Sequence, residues 1–462
     1  MTSSSTKKTF SLLSCDWIGF DLDHTLIRYR LPDLHALIYE SMRQYLTETY
    51  EYNSRLLPLS YDNYFSVKGL IYDSFYGNLI QLNSNGFVNT ALHGVHRRLT
   101  TEETKEIYSN TLKDIEEDTS ERFLCMFTYF DHGISYLIAN IVDLIDQENL
   151  YENSSENQID LENKYKFFLI HLKKGSEHLY YDFNRGNYFA SLRSNPDKYI
   201  YRRLDVRQWL EKLKKLNKKL FLATNSSFNN TDLLATYALG DDWKDLFDFI
   251  IVVSKKPSFF LNTKKRSFHR FIDENNMIPV TNEEIIQNFN KNYIYSLGNS
   301  EDLHYIMSQI SNKDPVVIYF GDHIKADINA LKRYTNWIAG VVLEELEFDS
   351  PPTVIHTTIH HSSTNDQSYI KGNQSKYFPS FFISPTDSII FDYNNNINET
   401  QSEQTEPDAI LPSLSSYWYA YITKHAHLSL SCLSILSNHF DLDHQFEYDQ
   451  KSEHFVIMHK NE

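Results

Sequence analysis

Trp17-Ile18-Gly19-Phe20-Asp21-Leu22-Asp23-His24-Thr25-Leu26 is the stretch that decides how this chain is read. Four largely apolar residues run straight into two carboxylates and a hydroxyl, the pattern of a buried strand that stops at a polar edge. In open α/β sheets ligands bind at the carboxyl ends of the strands. Asp21 and Asp23 are two apart, so on an extended segment they point the same way. Two like charges avoid that arrangement unless a cation or a reaction uses them. The letters Phe-Asp-Leu-Asp-His return at Phe440 to His444, so the pentapeptide alone decides nothing. The second copy follows Ser437-Asn438-His439, with Gln445-Phe446 in place of Thr25-Leu26. It reads as a surface turn or edge segment.

Three more apolar runs end in the same way. Leu220 to Ala223 stops at Thr224-Asn225-Ser226, Phe249 to Val253 leads to Lys256, and Val316 to Phe320 runs into Gly321-Asp322, with Asp327 five residues on. Each ending has an ordinary explanation: Thr or Asn after a strand is a common helix cap, and Lys256 suits a solvent loop. In a doubly wound, mostly parallel sheet the four ends share one edge and can converge. The fold class expected is therefore α/β.

Around these strands the pattern predicts a helix near Asp33 to Thr49 and short strands at Leu70 to Tyr72, Leu79 to Leu82 and Phe87-Val88. A turn at Asn83 to Gly86 joins the last two. Thr101 to Glu148 reads as helical, with Leu137, Ile138, Ile141, Val142, Leu144 and Ile145 as its apolar face. Asn149 to Asn163 reads as a loop. Asp205 is the expected N-cap of a helix bearing Val206, Trp209, Leu210 and Leu213, whose lysines form a solvated face. The expected division is a discontinuous catalytic core over 10–55 and 200–345, an inserted domain over 56–199, and a C-terminal extension over 346–462. That extension holds low-complexity tracts near 362–375 and 394–407.

The 462 residues allow two or three domains, and the formal net charge of −17 disfavours nucleic-acid polymers and anionic membranes as partners. It leaves room for a small phosphorylated substrate, because a local cation can invert the field of one site. Cys15, Cys125 and Cys432 are widely spaced, without a CxxC pair, which argues against a disulfide framework and for a reducing compartment. No apolar run approaches the roughly 18 residues of a membrane span, and the N-terminus lacks a signal-peptide core. The localisation expected is cytoplasmic, so sequons such as those at Asn153 and Asn398 are not expected to be glycosylated. A metal site at His356, His360 and His361 is weakly suggested by spacing alone.

The four endings, in this order, resemble the haloacid dehalogenase-like superfamily, and Lys68 to Leu79, Leu222 to Ser226 and Lys256 to Phe260 resemble its cytosolic purine 5′-nucleotidase branch. The resemblance implies a core of that superfamily's Rossmann-like type with a large cap inserted between Asp23 and Thr224. It implies a Mg²⁺-dependent phosphomonoesterase working through an aspartyl-phosphate, on a nucleoside 5′-monophosphate or similar small ester. Asp21 would be the nucleophile and Asp23 the acid/base. Asp21, the Asp23 carbonyl and Asp322 would hold Mg²⁺, with Asp327 behind them orienting water or Lys256. Thr224, Asn225 and Lys256 would bind the phosphate. Phe130 is a candidate for stacking on a base, against core packing as the commoner role of such an aromatic. No Arg/Asp pair for reading a purine stands out in Lys164 to Tyr181, and the acidic C-terminal run of some relatives is absent. A catalytically idle binding module and a sugar-phosphate or phosphoprotein phosphatase are the competing readings, and self-association is left open.

Overall fold

The computed structural model describes residues 7–112, 115, 121–151, 163–181, 186–261, 265–291, 293–347, 375–381, 416–449 and 456–458. The tracts at 362–374 and 394–407, the three histidines at 356, 360 and 361, and the sequon residues Asn153 and Asn398 lie outside the described residues.

Strands are numbered in chain order. β1 (Lys7–Phe10) and β2 (Trp17–Phe20) open the chain. β3 (Ile71–Asp73), β4 (Asn78–Leu82), β5 (Val88–His93), β6 (Arg97–Arg98) and β7 (Phe123–Cys125) follow. Then come β8 (Lys219–Ala223), β9 (Phe249–Val252), β10 (Phe268–Asp273), β11 (Asn276–Pro279), β12 (Ile294–Leu297), β13 (Val317–Gly321) and β14 (Ile338–Val342). The last three are β15 (Leu428–Leu430), β16 (Phe446–Asp449) and β17 (Val456–Met458).

Ten strands form one sheet in the order β11-β10-β12-β9-β8-β2-β13-β14-β15-β17. From β12 to β17 every pairing is parallel, and β10 and β11 add an antiparallel edge. The apolar runs are continuous because both faces are covered. Ile18, Phe20, Leu220, Leu222, Ile318 and Phe320 enter one core cluster, with Trp209 and Leu213 of the Leu204–Lys215 helix. Trp17, Phe221, Ala223, Val317 and Tyr319 enter the other, with Leu303 and Ile306 of the Ser300–Ser311 helix. A Cβ on Gly19 would sit 2.1 Å from the Phe221 ring, so close packing between β2 and β8 requires glycine there. The result is a mixed α/β protein built on a large, mainly parallel sheet.

A second, antiparallel sheet runs β6-β5-β4-β3-β7, and the predicted turn at Asn83 to Gly86 joins β4 to β5. Beside it the helices Leu31–Tyr50, Asp131–Asp146 and Leu169–Tyr181 pack together. The C-terminal residues touch both sheets. β15 and β17 extend the large sheet, β16 pairs with β1, and Trp418 Nε1 donates to Gly69 O at 2.7 Å.

Two expectations need correction. Thr101 to Glu148 is not one helical stretch: a short helix (Thr101–Ile107), β7 and the Asp131–Asp146 helix divide it. The apolar face came entirely from Leu137 to Ile145, whereas Phe123 to Cys125 pairs with β3, and that pairing prevails. Asp205 is not the cap of its helix. Arg203 holds that position, its amide tied to Ala238 O at 2.8 Å, so the helix starts at Leu204 and Asp205 places its charge in the first turn.

Candidate active site

β9, β8, β2 and β13 are neighbours in the large sheet and all run the same way, so their carboxyl ends lie side by side. That edge floors a cavity of about 320 Å³ lined by Asp21, Asp23, Thr224, Asn225, Lys256, Asp322 and Asp327 together. All seven residues singled out in the sequence therefore meet at one place.

Lys256 is the hub. Its Nζ lies 2.7 Å from Asp21 Oδ1 and 2.7 Å from Asp327 Oδ1, and donates to the Tyr319 hydroxyl at 2.8 Å. The ammonium is buried, which alone would lower its pKa, but the two carboxylates outweigh burial and hold it above its ordinary value. The loop carrying it has left-handed backbone at Val253 (φ +50°) and Lys255 (φ +60°), a conformation uncommon for side-chain-bearing residues. Asn225 holds that loop: its Oδ1 accepts from Lys256 N at 2.6 Å and from Ser254 Oγ at 3.0 Å, and its Nδ2 donates to Lys256 O at 3.0 Å.

Asp21 is buried, and burial pushes its carboxyl up to about 7 even though Lys256 pulls the other way. Burial likewise pushes Asp322 well above its ordinary range, countered chiefly by the charge of Lys68, and its Oδ2 has no hydrogen-bond partner. Oxygens of Asp21, Asp322 and Asp327 lie within 4.8 Å of one another. Three buried carboxylates this close, one with an unpartnered oxygen, form a donor set suited to a hard cation. Asp327 is the most occupied of them, since its Oδ2 accepts from His323 N at 3.2 Å and its Oδ1 faces Lys256.

Asp23 is held differently. The Tyr29 hydroxyl donates to its Oδ1 at 2.6 Å and the Ser226 hydroxyl to its Oδ2 at 2.8 Å. Burial and the neighbouring Asp23 charge push the Tyr29 phenol well above its usual pKa, so it stays a donor. Sequence reasoning missed both hydroxyls. Ser226 stood in the strand-end triplet but reads as a cap, and Tyr29 carries no local signal in a chain with 32 tyrosines.

Thr224 is fully buried, and its Oγ1 accepts from Ser226 N at 3.1 Å. Ser227 caps the Phe228–Leu239 helix, whose N-terminus opens beside the cavity, a position that favours anions. Phe130, Tyr180, Tyr188 and Phe189 give the same cavity an aromatic wall, with Phe130 edge-on to His24 at 4.8 Å and to Tyr180 at 5.7 Å. Among the described residues no helix is long and apolar enough to cross a membrane.

Comparison with known proteins identifies the family. The model of the 5′ nucleotidase family matches residues 6–367, which places the chain in the class of nucleotidase-like phosphoric monoester hydrolases. Human 5′-nucleotidase domain-containing protein 1 is 33% identical over 349 residues, 74% of this chain and 74% of that protein. Its bovine counterpart is 33% identical over 352 residues, with the same coverage. Human 5′-nucleotidase domain-containing protein 2 is 29% identical over 340 residues, 73% of this chain and 62% of that one. The chain belongs to the 5′ nucleotidase family.

Proposed function

We propose that the protein is a Mg²⁺-dependent phosphatase that hydrolyses a nucleoside 5′-monophosphate or a close analogue through an aspartyl-phosphate. The observation that carries the reading is Lys256 Nζ at 2.7 Å from both Asp21 and Asp327, on the floor of a cavity with an aromatic wall. Asp21 attacks phosphorus in line with the leaving oxygen, and Asp23 gives that oxygen a proton. Asp23 then takes a proton from the water that hydrolyses the aspartyl-phosphate. Lys256 and the Thr224 hydroxyl face the phosphoryl oxygens, offsetting their charge. Asn225 is better read as the clamp on the Lys256 loop, because three of its side-chain hydrogen bonds go there.

Mg²⁺ fits the donor set: Asp21, Asp322 and the Asp23 carbonyl would hold it, and Asp327 would stand behind them, its oxygens already engaged. When bound, the ion offsets the repulsion between the carboxylates and a dianionic ester. The core reads as the doubly wound sheet of the haloacid dehalogenase-like superfamily, and residues 56–199 as a cap that supplies the aromatic wall and excludes water. The test is phosphate release from mononucleotides, sugar phosphates and p-nitrophenyl phosphate, with and without Mg²⁺. Mg²⁺-dependent release favouring mononucleotides is expected. Release from none at high protein concentration overturns the reading and leaves an idle fold.

A further inference from the structure

Tyr29 lies eight residues beyond Asp21, outside the strand endings that drew attention to the site. It is fully buried, lines the cavity, and has its hydroxyl 2.6 Å from Asp23 Oδ1. Ser226 takes the other oxygen from the end of neighbouring β8, so the two hydroxyls together fix the plane of the Asp23 carboxyl. The backbone at Tyr29 is fixed as well. Tyr29 bridges Ile200 in antiparallel fashion, flanked by Arg30 N to Tyr199 O at 2.8 Å and Tyr201 N to Arg28 O at 2.9 Å. Residues 199–201 are where the chain returns after contributing Phe130, Tyr180 and Tyr188 to the cavity wall. The Tyr29 ring also packs edge-on to Phe130 at 5.7 Å. One side chain thus touches the wall with its ring and the carboxyl of Asp23 with its hydroxyl.

We propose that Tyr29 is a positioning residue for proton transfer: it holds Asp23 in the pose that delivers a proton to the leaving oxygen. The inference rests on the phosphatase reading above. In the step concerned, an oxygen of Asp21 bonds to phosphorus as the bond from phosphorus to the ester oxygen breaks. The proton on the Asp23 carboxyl moves to that departing oxygen, giving a neutral alcohol. A sugar hydroxyl is a poor leaving group and needs that proton, whereas p-nitrophenolate leaves without it. Misplacing Asp23 therefore slows formation of the aspartyl-phosphate from the first substrate and spares it from the second, a difference read in kcat/KM, whereas the later hydrolysis of the intermediate is common to both.

The experiment compares wild type and Tyr29→Phe in the full chain with Mg²⁺, on the mononucleotide that wild type hydrolyses best and on p-nitrophenyl phosphate. Tyr29→Phe keeps the ring and removes only the hydroxyl. The expected result is a kcat/KM on the mononucleotide lowered about tenfold to a hundredfold, with kcat/KM for the aryl phosphate within about threefold of wild type. Asp23→Asn should split the two substrates in the same sense and further. The ratio of kcat/KM for the two substrates within one preparation cancels the folded fraction, so partial unfolding of the variant does not blur the outcome. Equal loss of kcat/KM on both substrates, or loss on neither, overturns the role of Tyr29 while leaving the phosphatase reading intact. A wild type inactive on both overturns the phosphatase reading itself.

Discussion

Phe20 to His24 and Phe440 to His444 have the same side chains in the same order, yet the first aspartate of the early copy is 8% exposed and its equivalent in the late copy faces solvent. The early copy leaves β2 in the middle of the large sheet, with β8 on one side and β13 on the other, each ending in a polar group of its own. The late copy leaves a short helix, turns through a His444 N to Asp441 O bond of 3.0 Å, and enters β16 on a two-stranded ribbon. Its buried member is Leu442, whose carbonyl accepts from Leu13 N at 2.7 Å. What separates the copies is what neighbouring strands deliver to the same place. Asp21 meets Lys256, Asp322 and Asp327, and Asp441 meets its own turn.

The comparison breaks most sharply at the first aspartate. Asp21→Asn is expected to lower phosphate release by about 10⁴-fold or more, the scale of losing a nucleophile, and retained turnover would remove Asp21 from that role. The same variant should reveal the burial of the charge. Burial raises Asp21 from 3.8 to about 7. A carboxyl whose folded pKa is raised contributes stability that is complete below its unfolded pKa and is lost as the pH climbs through the folded one. In metal-free protein the melting temperature of Asp21→Asn relative to wild type should therefore rise between pH 4 and pH 8. A difference independent of pH would mean that Asp21 is not held as the geometry indicates. Adding Mg²⁺ should raise the melting temperature of wild type more than that of the variant.

Lys256→Met comes next. It removes the cation shared by Asp21 and Asp327 and is expected to lower kcat by about 10²- to 10³-fold, the range for losing one fixed electrostatic partner of a transition state. It also leaves two buried carboxylates facing each other, so the metal-free variant should melt well below wild type at pH 8 and recover part of the gap in acid. A variant as active as wild type would show that Lys256 serves only structure.

How far these residues could be read from the chain depends on where each signal lies. Asp21, Thr224, Lys256 and Asp322 were legible because each follows an apolar run, and parallel pairing brings such ends together without further information. Tyr29 and Ser226 were not, because a hydroxyl that holds a carboxylate and one that caps a turn look the same in one dimension. The aromatic wall was hidden by composition: with 30 phenylalanines and 32 tyrosines, Tyr180, Tyr188 and Phe189 do not stand out from core. β15 follows a long polar tract, and its place beside β14 depends on pairing between residues some ninety positions apart, which no local period encodes.

A smaller effect distinguishes clamp from ligand. Asn225 sits between Thr224 and Ser226, yet its side chain is bound to residues 254–256. Asn225→Ala frees a loop held in left-handed backbone at two positions, and Lys256 should lose its alignment with phosphorus. Displacement of about an ångström can cost up to 100-fold, so a fall in kcat of roughly ten- to a hundredfold is expected, less than for Lys256→Met. The variant should also make the 253–257 amides exchange faster with solvent hydrogen. Unchanged exchange with a raised KM would instead make Asn225 a direct phosphate ligand.

The smallest effect belongs to the late copy. Asp441 and Asp443 are exposed, and neither has a cation within ion-pair distance among the described residues. Exposed carboxylates without a partner or a cap contribute little, so Asp441→Asn and Asp443→Asn should each shift stability by no more than about 0.5 kcal/mol and leave phosphate release unchanged. The test is a thermal melt and a rate measured beside Asp21→Asn, the same chemical change in the same five-letter context. A loss of turnover in either late variant would mean that the second copy reaches the site in some state of the protein, and that the letters carry more than the strand that precedes them.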